Sequence, residues 1–252
     1  MNIILKKSKN NFSYIRYFLF TYLKIYRVYE KYFDEKVFYI PYKKELNLRY
    51  FERLKEFLRS KKVIKILPLD KDLKEYFKKY FSVIYGKYIY NTIFCDILNF
   101  LAHNRLFEYE IIFISDNVKE IKEKIEKCIK KCEAVSVLTD KPSLYESLKE
   151  YTLYKYGVVL NIKTKKEKLK KKNKIYVNSG HSMNFDKGFF KNVNLLDIYC
   201  VYDGAYNNII LECDKEEKDF TKSLDCQFSL GIAEFLYGKE YEKKFKIKAL
   251  KK

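Results

Sequence analysis

The second half of the chain alternates short, largely apolar runs with longer segments whose apolar positions recur every three or four residues. The runs are predicted strands covered on both faces. They are YEIIFISD (109–116), AVSVLT (134–139), VVLNI (158–162) and KIYVNS (174–179). Residues 118–132 carry an apolar stripe at helical spacing, and a second helix ends at Gly157. Strands that alternate with such helices predict parallel βαβ units, so we expect an α/β fold with a parallel sheet here.

Three later segments extend this alternation. LLDIYCV (195–201) predicts a fifth strand, IILEC (209–213) a candidate sixth, and FTKSLDCQFSLGIAEFLYG (220–238) a closing helix. The helix after the second strand has Asp140 or Ser143 as its predicted N-cap, because either side chain can accept a bond from a free backbone N–H. Residues 107–252 are therefore expected to form a Rossmann-like domain.

Residues 1–106 show a similar alternation on a smaller scale. The predicted strands are 2–5, 37–40, 63–67 and 82–85, and the predicted helices are 11–33, 45–60, 71–80 and 88–104. We expect these elements to form a smaller N-terminal α/β domain. The seam with the following domain is expected near residues 106–110, since no long linker separates the two halves.

The longest predicted helix, residues 11–33, is aromatic and aliphatic over most of its surface. Its basic residues Arg16, Lys24, Arg27 and Lys31 fall within about 80° of one another at about 100° per residue. Such a narrow polar stripe suits a helix buried in a core, and it also suits a helix lying on a membrane surface. Both interpretations stay open. No run approaches the roughly 18 apolar residues that a spanning helix needs, so no membrane span is expected.

The net charge of +19 suggests a polyanionic partner. Residues 1–106 carry net +13 and residues 107–252 net +6, so the N-terminal half would hold such a site. However, 46 lysines stand against 6 arginines, together with abundant Ile, Tyr, Phe and Asn, which indicates the codon bias of an AT-rich genome. The planar guanidinium of arginine binds phosphates and bases better than the ammonium group of lysine does. We therefore expect weak, non-specific nucleic-acid binding, with the lysine run 163–174 as its most basic contact.

The six cysteines are scattered through apolar segments and form no C-x-x-C motif. Cys128 and Cys132 lie four residues apart on a face that also carries Ile121 and Ile125, so we interpret them as core thiols of a reducing cytoplasm. With two histidines in the chain, no metal site is expected. The opening residues, MNIILKKSKNN, lack the apolar stretch of a signal peptide, which favours a cytoplasmic protein.

The order of elements from 109 to 201 resembles the NAD(P)-binding half of the shikimate-dehydrogenase and amino-acid-dehydrogenase group. The segments VSVLTDK, YGVVLNI and IYVNSG are similar to the second, third and fourth strands of those enzymes. In addition, residues 66–93, followed by VLTDKPSLYESLKEYTLYKYGVVLNI, resemble uncharacterised proteins of low-GC anaerobic Gram-positive bacteria. This second resemblance implies a degenerate NAD(P)-binding domain, with no assigned activity and no catalytic residue.

The turn that should hold a dinucleotide phosphate contains no glycine. In NAD(P)-binding domains a G-x-G-x-x-G turn lets the backbone approach the pyrophosphate at a helix N-terminus. Here the corresponding turn reads SDNVKE, residues 115–120. Asp116 would place a carboxylate where the phosphate should lie, and Asn117 with Glu120 is a predicted capping box. We therefore expect no bound cofactor, or at most a degenerate NAD(P) site.

Four residues after the second and fourth strands are the candidate cofactor- or ligand-binding residues. They are Asp140, Ser179, Gly180 and His181. Asp140 stands where a ribose-binding acid belongs, although Asp is equally a good N-cap at that place. His181 could serve as an acid or base at the sheet edge, or could simply be solvated.

The sequence leaves three functions open. It favours a non-catalytic Rossmann-like scaffold or partner-binding protein that has lost the dinucleotide phosphate loop. The first alternative is an enzyme or sensor that binds a nucleotide-like ligand near Asp140 and His181. The second is a non-specific polyanion binder that uses the basic N-terminal half. No nucleophile–base pair, P-loop or paired-carboxylate spacing is recognisable, so catalysis is not the expected role.

Overall fold

The computed structural model describes eleven stretches of the chain. They are residues 1–7, 14–24, 33–34, 36–40, 47–70, 73, 76–164, 173–179, 194–197, 209–238 and 245–250. Contacts divide the chain into two compact units, 1–87 with 213–241, and 88–212 with 242–252. Each unit holds a sheet with parallel strands, which confirms the predicted α/β fold class. The division into domains 1–106 and 107–252 stays a prediction, and the contacts place residues 213–241 with the first unit.

The elements follow one another along the chain as strands and helices of modest length. The strands are β1 (Asn2–Lys7), β2 (Phe33–Asp34), β3 (Val37–Ile40), β4 (Lys65–Pro68), β5 (Ser82–Val83), β6 (Glu110–Ile114), β7 (Ala134–Leu138), β8 (Asn161–Lys163), β9 (Lys174–Asn178), β10 (Asn194–Asp197), β11 (Ile209–Leu211) and β12 (Ile247–Leu250). The helices are α1 (Tyr14–Leu23), α2 (Leu48–Ser60), α3 (Lys87–Thr92), α4 (Phe94–Leu101), α5 (Val118–Cys128), α6 (Glu146–Tyr156), α7 (Lys215–Ser223) and α8 (Leu230–Tyr237).

The sheet of the first unit has the order β2-β3-β1-β4-β5. Its strands are parallel except β2, which runs antiparallel to β3 at the edge. All four strands predicted in the N-terminal half are therefore present. They pack with α1 and α2 around an aromatic core in which Phe20, Phe38 and Tyr50 are fully buried. Aromatic rings dominate this core because each removes a large apolar area from water.

The helix predicted at 11–33 is shorter than the sequence indicated. Helix α1 ends at Leu23, since Lys24 takes a left-handed backbone conformation with φ of 57°, and residues 33–34 are strand β2. Residues 11–13 and 25–32 lie outside the described residues. Helix α1 buries Tyr17 and Phe20 against the sheet. Within the described part of the chain, no helix is long and apolar enough to cross a bilayer.

Two other predicted helices are each divided in two. The segment 88–104 is broken at Ile93, which separates α3 from α4. The segment 220–238 is broken between α7 and α8, where Asp225 has a φ of 48°. Hydrophobic periodicity continued across both breaks, because the flanking helices each keep an apolar face toward the core of their own unit.

The sheet of the second unit has the order β10-β9-β6-β7-β8, and every pair in it is parallel. This confirms the predicted parallel strands, except that the third begins at Asn161 rather than at residue 158 and that residues 198–201 of the fifth lie outside the described residues. Gly157 ends α6 with a φ of 67°, as predicted. The candidate sixth strand is present as β11, but it pairs antiparallel with β12 in a separate two-stranded sheet.

Helix α5 covers this sheet with the apolar stripe that the sequence predicted. Ile121, Ile125, Cys128 and Ile129 are buried. Lys124 is buried as well, and its ammonium donates to Glu120 O at 3.2 Å. The lysine stem can lie along an apolar surface while its charged end finds a carbonyl, which allows a basic residue on this face.

Candidate functional site

The point where the strand order reverses lies between β6 and β9. From β6 the chain proceeds to β7 and β8 on one side, whereas β9 and β10 lie on the other side. In open α/β sheets, ligands bind outside the carboxyl ends of the strands at such a switch point. The residues that follow β6, β7 and β9 there are Ser115, Thr139 and Ser179, and all three are buried. This edge is the candidate site of the second unit.

The Asp116 carboxylate is held by the neighbouring turn. Asp116 Oδ1 accepts a 2.7 Å hydrogen bond from Thr139 Oγ1 and a 3.3 Å bond from Asp140 N. Thr139 Oγ1 in turn accepts from Lys141 N at 3.0 Å. The carboxylate therefore ties the turn after β6 to the turn after β7. A negative charge fixed at this place opposes a phosphate group by Coulomb repulsion.

The N-terminus of α5 is capped by its own preceding residue. Asn117 Oδ1 accepts from Lys119 N at 3.1 Å, while Ser115 Oγ accepts from Asn117 N at 2.9 Å. Asn117 is thus the N-cap, as predicted, but its bond goes to Lys119 and not to Glu120 as in the expected capping box. One of the N–H groups that a Rossmann domain offers to pyrophosphate is therefore used within the turn.

A buried tyrosine fixes the backbone at the end of β6. Tyr145 OH donates a 2.8 Å hydrogen bond to Ser115 O. Burial raises the pKa of Tyr145 to about 12, so the hydroxyl remains a donor throughout the neutral range. Tyr145 closes a 3-10 turn, Pro142–Tyr145, and α6 begins directly after it. The prediction that Asp140 or Ser143 caps this helix was wrong, because the 3-10 turn occupies the cap position.

Ser179 is a candidate residue that is buried at the switch point. Its backbone N–H donates to Ile114 O at 2.8 Å, which extends the β9–β6 ladder by one bond. Its side chain is buried, and among the described residues its Oγ has no hydrogen-bond partner. A buried hydroxyl without a partner costs about 1–3 kcal/mol, so an additional polar atom at this place would be stabilising.

Asp140, the other candidate residue that the structure describes, does not lie beside Ser179. Asp140 is exposed and follows β7, whereas Ser179 follows β9, so β6 lies between them. Two strand spacings correspond to roughly 10 Å. Gly180 and His181 lie outside the described residues. Thr139 and Tyr145 were missed by sequence reasoning; a polar residue directly after a buried strand could have indicated Thr139, but no sequence signal distinguishes Tyr145.

An ion-pair network crosses one face of the same sheet. Glu110 accepts from Lys163, Lys174 and Ser136, with Lys174 Nζ at 2.7 Å from Glu110 Oε2. Burial raises the pKa of Glu110, but hydrogen bonds from Lys163, Lys174 and Ser136 outweigh it and lower the pKa to about 2. Lys163 and Lys174, the first and last residues of the basic run 163–174, are therefore paired with a carboxylate.

Helix α2 carries three arginines of the basic N-terminal half, where a polyanion would bind, and their surroundings differ. The Arg49 guanidinium lies 5.1 Å from the centre of the Tyr22 ring. Arg53 is mostly buried and pairs with Glu56 at 2.9 Å. Arg59 is exposed in the last turn. Aromatic residues such as Tyr50 and Phe57 on the same helix are buried in the core, so they are not presented for stacking with bases.

Comparison with known proteins gives no assignment. No protein-family model matches the chain, and no curated protein matches it at a significant level. Among the described residues, no group of three His, Cys, Asp or Glu side chains is arranged to hold a metal ion. The interpretation of the site therefore depends on its own geometry.

Proposed function

We propose that this is a non-catalytic, Rossmann-like protein that has lost dinucleotide binding and acts as a scaffold or partner-binding protein. The observation that carries the proposal is the engagement of Asp116. Its carboxylate bonds to Thr139 Oγ1 and Asp140 N, at the turn where a dinucleotide-binding domain requires glycine. The 3-2-1-4-5 strand order, counted from β6, supports the relation to that fold.

The partner-binding part of the proposal rests on one face of α1. Ile15, Phe18 and Tyr22 follow one another at spacings of three and four residues, and all three are exposed. Leu48, at the start of α2, is exposed as well, and Asn47 Nδ2 donates to Tyr22 OH at 3.2 Å, which places the two helices side by side. A contiguous exposed apolar face of this kind is typical of an interaction surface.

Calorimetry with NAD and NADP tests the loss of cofactor binding. We expect binding no tighter than millimolar for either dinucleotide, because a fixed carboxylate and a capped helix replace the phosphate site. Asp116→Gly alone is expected to leave binding weak, since Asn117 still caps α5. Micromolar affinity of the unmodified protein for either dinucleotide would contradict the proposal.

Site-specific photocrosslinking tests the partner surface. A photoreactive amino acid replaces Phe18 on α1 or, as a control, Tyr154 on α6, which is also exposed and aromatic. We expect a discrete protein adduct in cells from position 18 and none from position 154, because Tyr154 is not part of the α1 face. The same adduct should be lost when Ile15→Asp is added. Equal labelling from both positions would argue against α1 as the binding surface.

A second candidate function is the binding of a nucleotide-like ligand at the sheet edge near Asp140 and His181. The observation that favours it is Ser179 Oγ at the switch point, which has no hydrogen-bond partner within the described part of the chain. A thermal-shift panel of mononucleotides and nucleosides separates this candidate from the first. A ligand that raises the melting temperature of the protein, but not that of Ser179→Ala, would support it over the scaffold role.

A further inference from the structure

Three of the cysteines form a cluster where α4 meets the C-terminal end of α5. Cys95 is in the first turn of α4, Cys128 ends α5, and Cys132 lies in the turn before β7. Cys95 Sγ is 3.4 Å from Lys127 O, and Cys132 Sγ is 3.2 Å from Cys128 O. Because Lys127 directly precedes Cys128 in the chain, Cys95 lies beside the C-terminal turn of α5, next to Cys128. All three are free thiols.

The cysteines of this cluster differ in their access to solvent. Cys128 is fully buried, whereas Cys95 is half-buried and lines a surface pocket of about 210 Å³. Lys131, Asn99 and Phe107 line the same pocket. A small solute can therefore reach Cys95 from the pocket, whereas the Cys128 side chain is closed to solvent. The cluster therefore combines an accessible thiol with a protected one.

The neighbouring Cys128 thiol favours the thiolate of Cys95. It lowers the pKa of Cys95 to about 7 against the effect of burial; Lys131 and Lys127 also lower this pKa, and Asp96 raises it. The proximity of Cys95, together with burial, raises the pKa of Cys128 well above its ordinary value. Burial raises the pKa of Cys132 to about 12. Near neutral pH, Cys95 is thus the nucleophile of the cluster, because the thiolate is the reactive form.

We propose that Cys95 reacts with small hydroperoxides entering the pocket and that Cys128 resolves the product into a Cys95–Cys128 disulfide. This reaction goes beyond the scaffold role and does not depend on it. The assignment follows from the position of Cys95 beside the turn that holds Cys128 and from the pocket that exposes Cys95. These residues then form a modification site, whereas the sequence alone suggested inert core thiols.

The proposed chemistry balances in two steps. The Cys95 thiolate attacks one oxygen of the hydroperoxide; an S–O bond forms, the O–O bond breaks, and the departing oxygen takes a proton to leave as an alcohol or water. Cys95 is then a sulfenic acid. The Cys128 sulfur next attacks the Cys95 sulfur, an S–S bond forms, and hydroxide leaves with the Cys128 proton as water. Two thiols are oxidised and one peroxide is reduced.

Mass spectrometry of the full-length protein tests the proposal. The reduced protein is treated with stoichiometric hydrogen peroxide at pH 7, alkylated and digested without reductant. We expect a disulfide-linked peptide pair containing Cys95 and Cys128, which disappears in Cys95→Ser and Cys128→Ser. Cys132→Ser is the matched control and should retain the cross-link. In Cys128→Ser, Cys95 should remain a sulfenic acid that dimedone labels.

The rate of alkylation gives a second measurement, on unmodified protein. At pH 7 we expect iodoacetamide to modify Cys95 more than about tenfold faster than Cys132, with an apparent pKa near 7 for Cys95. A disulfide between Cys128 and Cys132, or oxidation of the exposed Cys213 while Cys95 stays reduced, would overturn the proposal. Either result can be read from the unmodified chain, so a variant that fails to fold does not obscure the answer.

Discussion

Thr139 Oγ1 donates a 2.7 Å hydrogen bond to Asp116 Oδ1, which joins the turns that follow two neighbouring parallel strands. The bond gives Asp116 a structural role at the place where dinucleotide-binding α/β domains bind an anion. It also makes the energetic role of Asp116 measurable without any knowledge of a ligand.

A double-mutant cycle on this pair should show coupling. Asp116→Ala leaves the buried Thr139 hydroxyl and Asp140 N without this acceptor, so we expect the free energy of unfolding to fall by about 1–3 kcal/mol. Thr139→Val should cost about 1 kcal/mol, and the double variant should cost less than the sum of the two. Urea unfolding measures all three. Simple additivity would show that the bond does not contribute to stability.

The Glu110 network should make stability depend on pH in the acid range. The pKa of Glu110 in the folded protein is about 2, below its ordinary value, so the network stabilises the fold above about pH 4.5 and loses this effect as the pH falls toward 2. Glu110→Gln should therefore lower the free energy of unfolding by about 2 kcal/mol at pH 7. The difference from the parent protein should shrink below about pH 4.5.

Glu123→Gln provides the control for this experiment. Glu123 forms an exposed pair with Lys127 one helical turn away, at 2.7 Å. Such pairs contribute about 0.3–0.5 kcal/mol, so the variant should be nearly as stable as the parent at every pH. A Glu110→Gln variant that behaves like Glu123→Gln would mean that the half-buried network is no stronger than a surface ion pair.

Two glycines with similar backbone conformations should respond very differently to alanine. A Cβ on Gly86, whose φ is 78°, would lie 2.5 Å from Leu230 Cβ and 2.6 Å from Leu230 C. The backbone would have to move, and we expect Gly86→Ala to cost about 3 kcal/mol. Gly157 has a φ of 67°, but no atom lies within 4 Å of the added Cβ, so Gly157→Ala should cost about 1 kcal/mol. Equal losses in urea unfolding would contradict the packing argument.

Nucleic-acid binding should be weak and strongly salt-dependent. Lysine–phosphate contacts act mainly through counterion release, so affinity for single-stranded DNA or RNA should collapse between about 50 and 200 mM salt. Fluorescence titration at both salt concentrations measures this. Tight binding that survives the higher salt and is lost in Arg49→Ala or Arg59→Ala would instead support the polyanion-binding function. Arg53→Ala is a poor probe, because that side chain is mostly buried and paired with Glu56.

The sequence by itself determined the fold class and most strands. Buried parallel strands are short apolar runs, and both their periodicity and their length differ from those of helices. It also indicated the Asn117 cap and the Gly157 terminus, since both depend on the chemistry of one residue. The sequence predicted the lengths of the helices less well. The periodicity at residues 11–33 and 220–238 does not reveal that Lys24 and Asp225 adopt left-handed conformations.

Only the tertiary structure decided which distant residues meet. The bond of Tyr145 to Ser115 O, the convergence of Lys163 and Lys174 on Glu110, and the bond of Cys95 to Lys127 O join residues far apart in the chain. Strand order determines these contacts, because it decides which turns lie at the same edge of the sheet and which helices lie on the same face of it. Hydrophobic periodicity specifies the face that each element buries, but it does not specify the neighbour against which that face is buried.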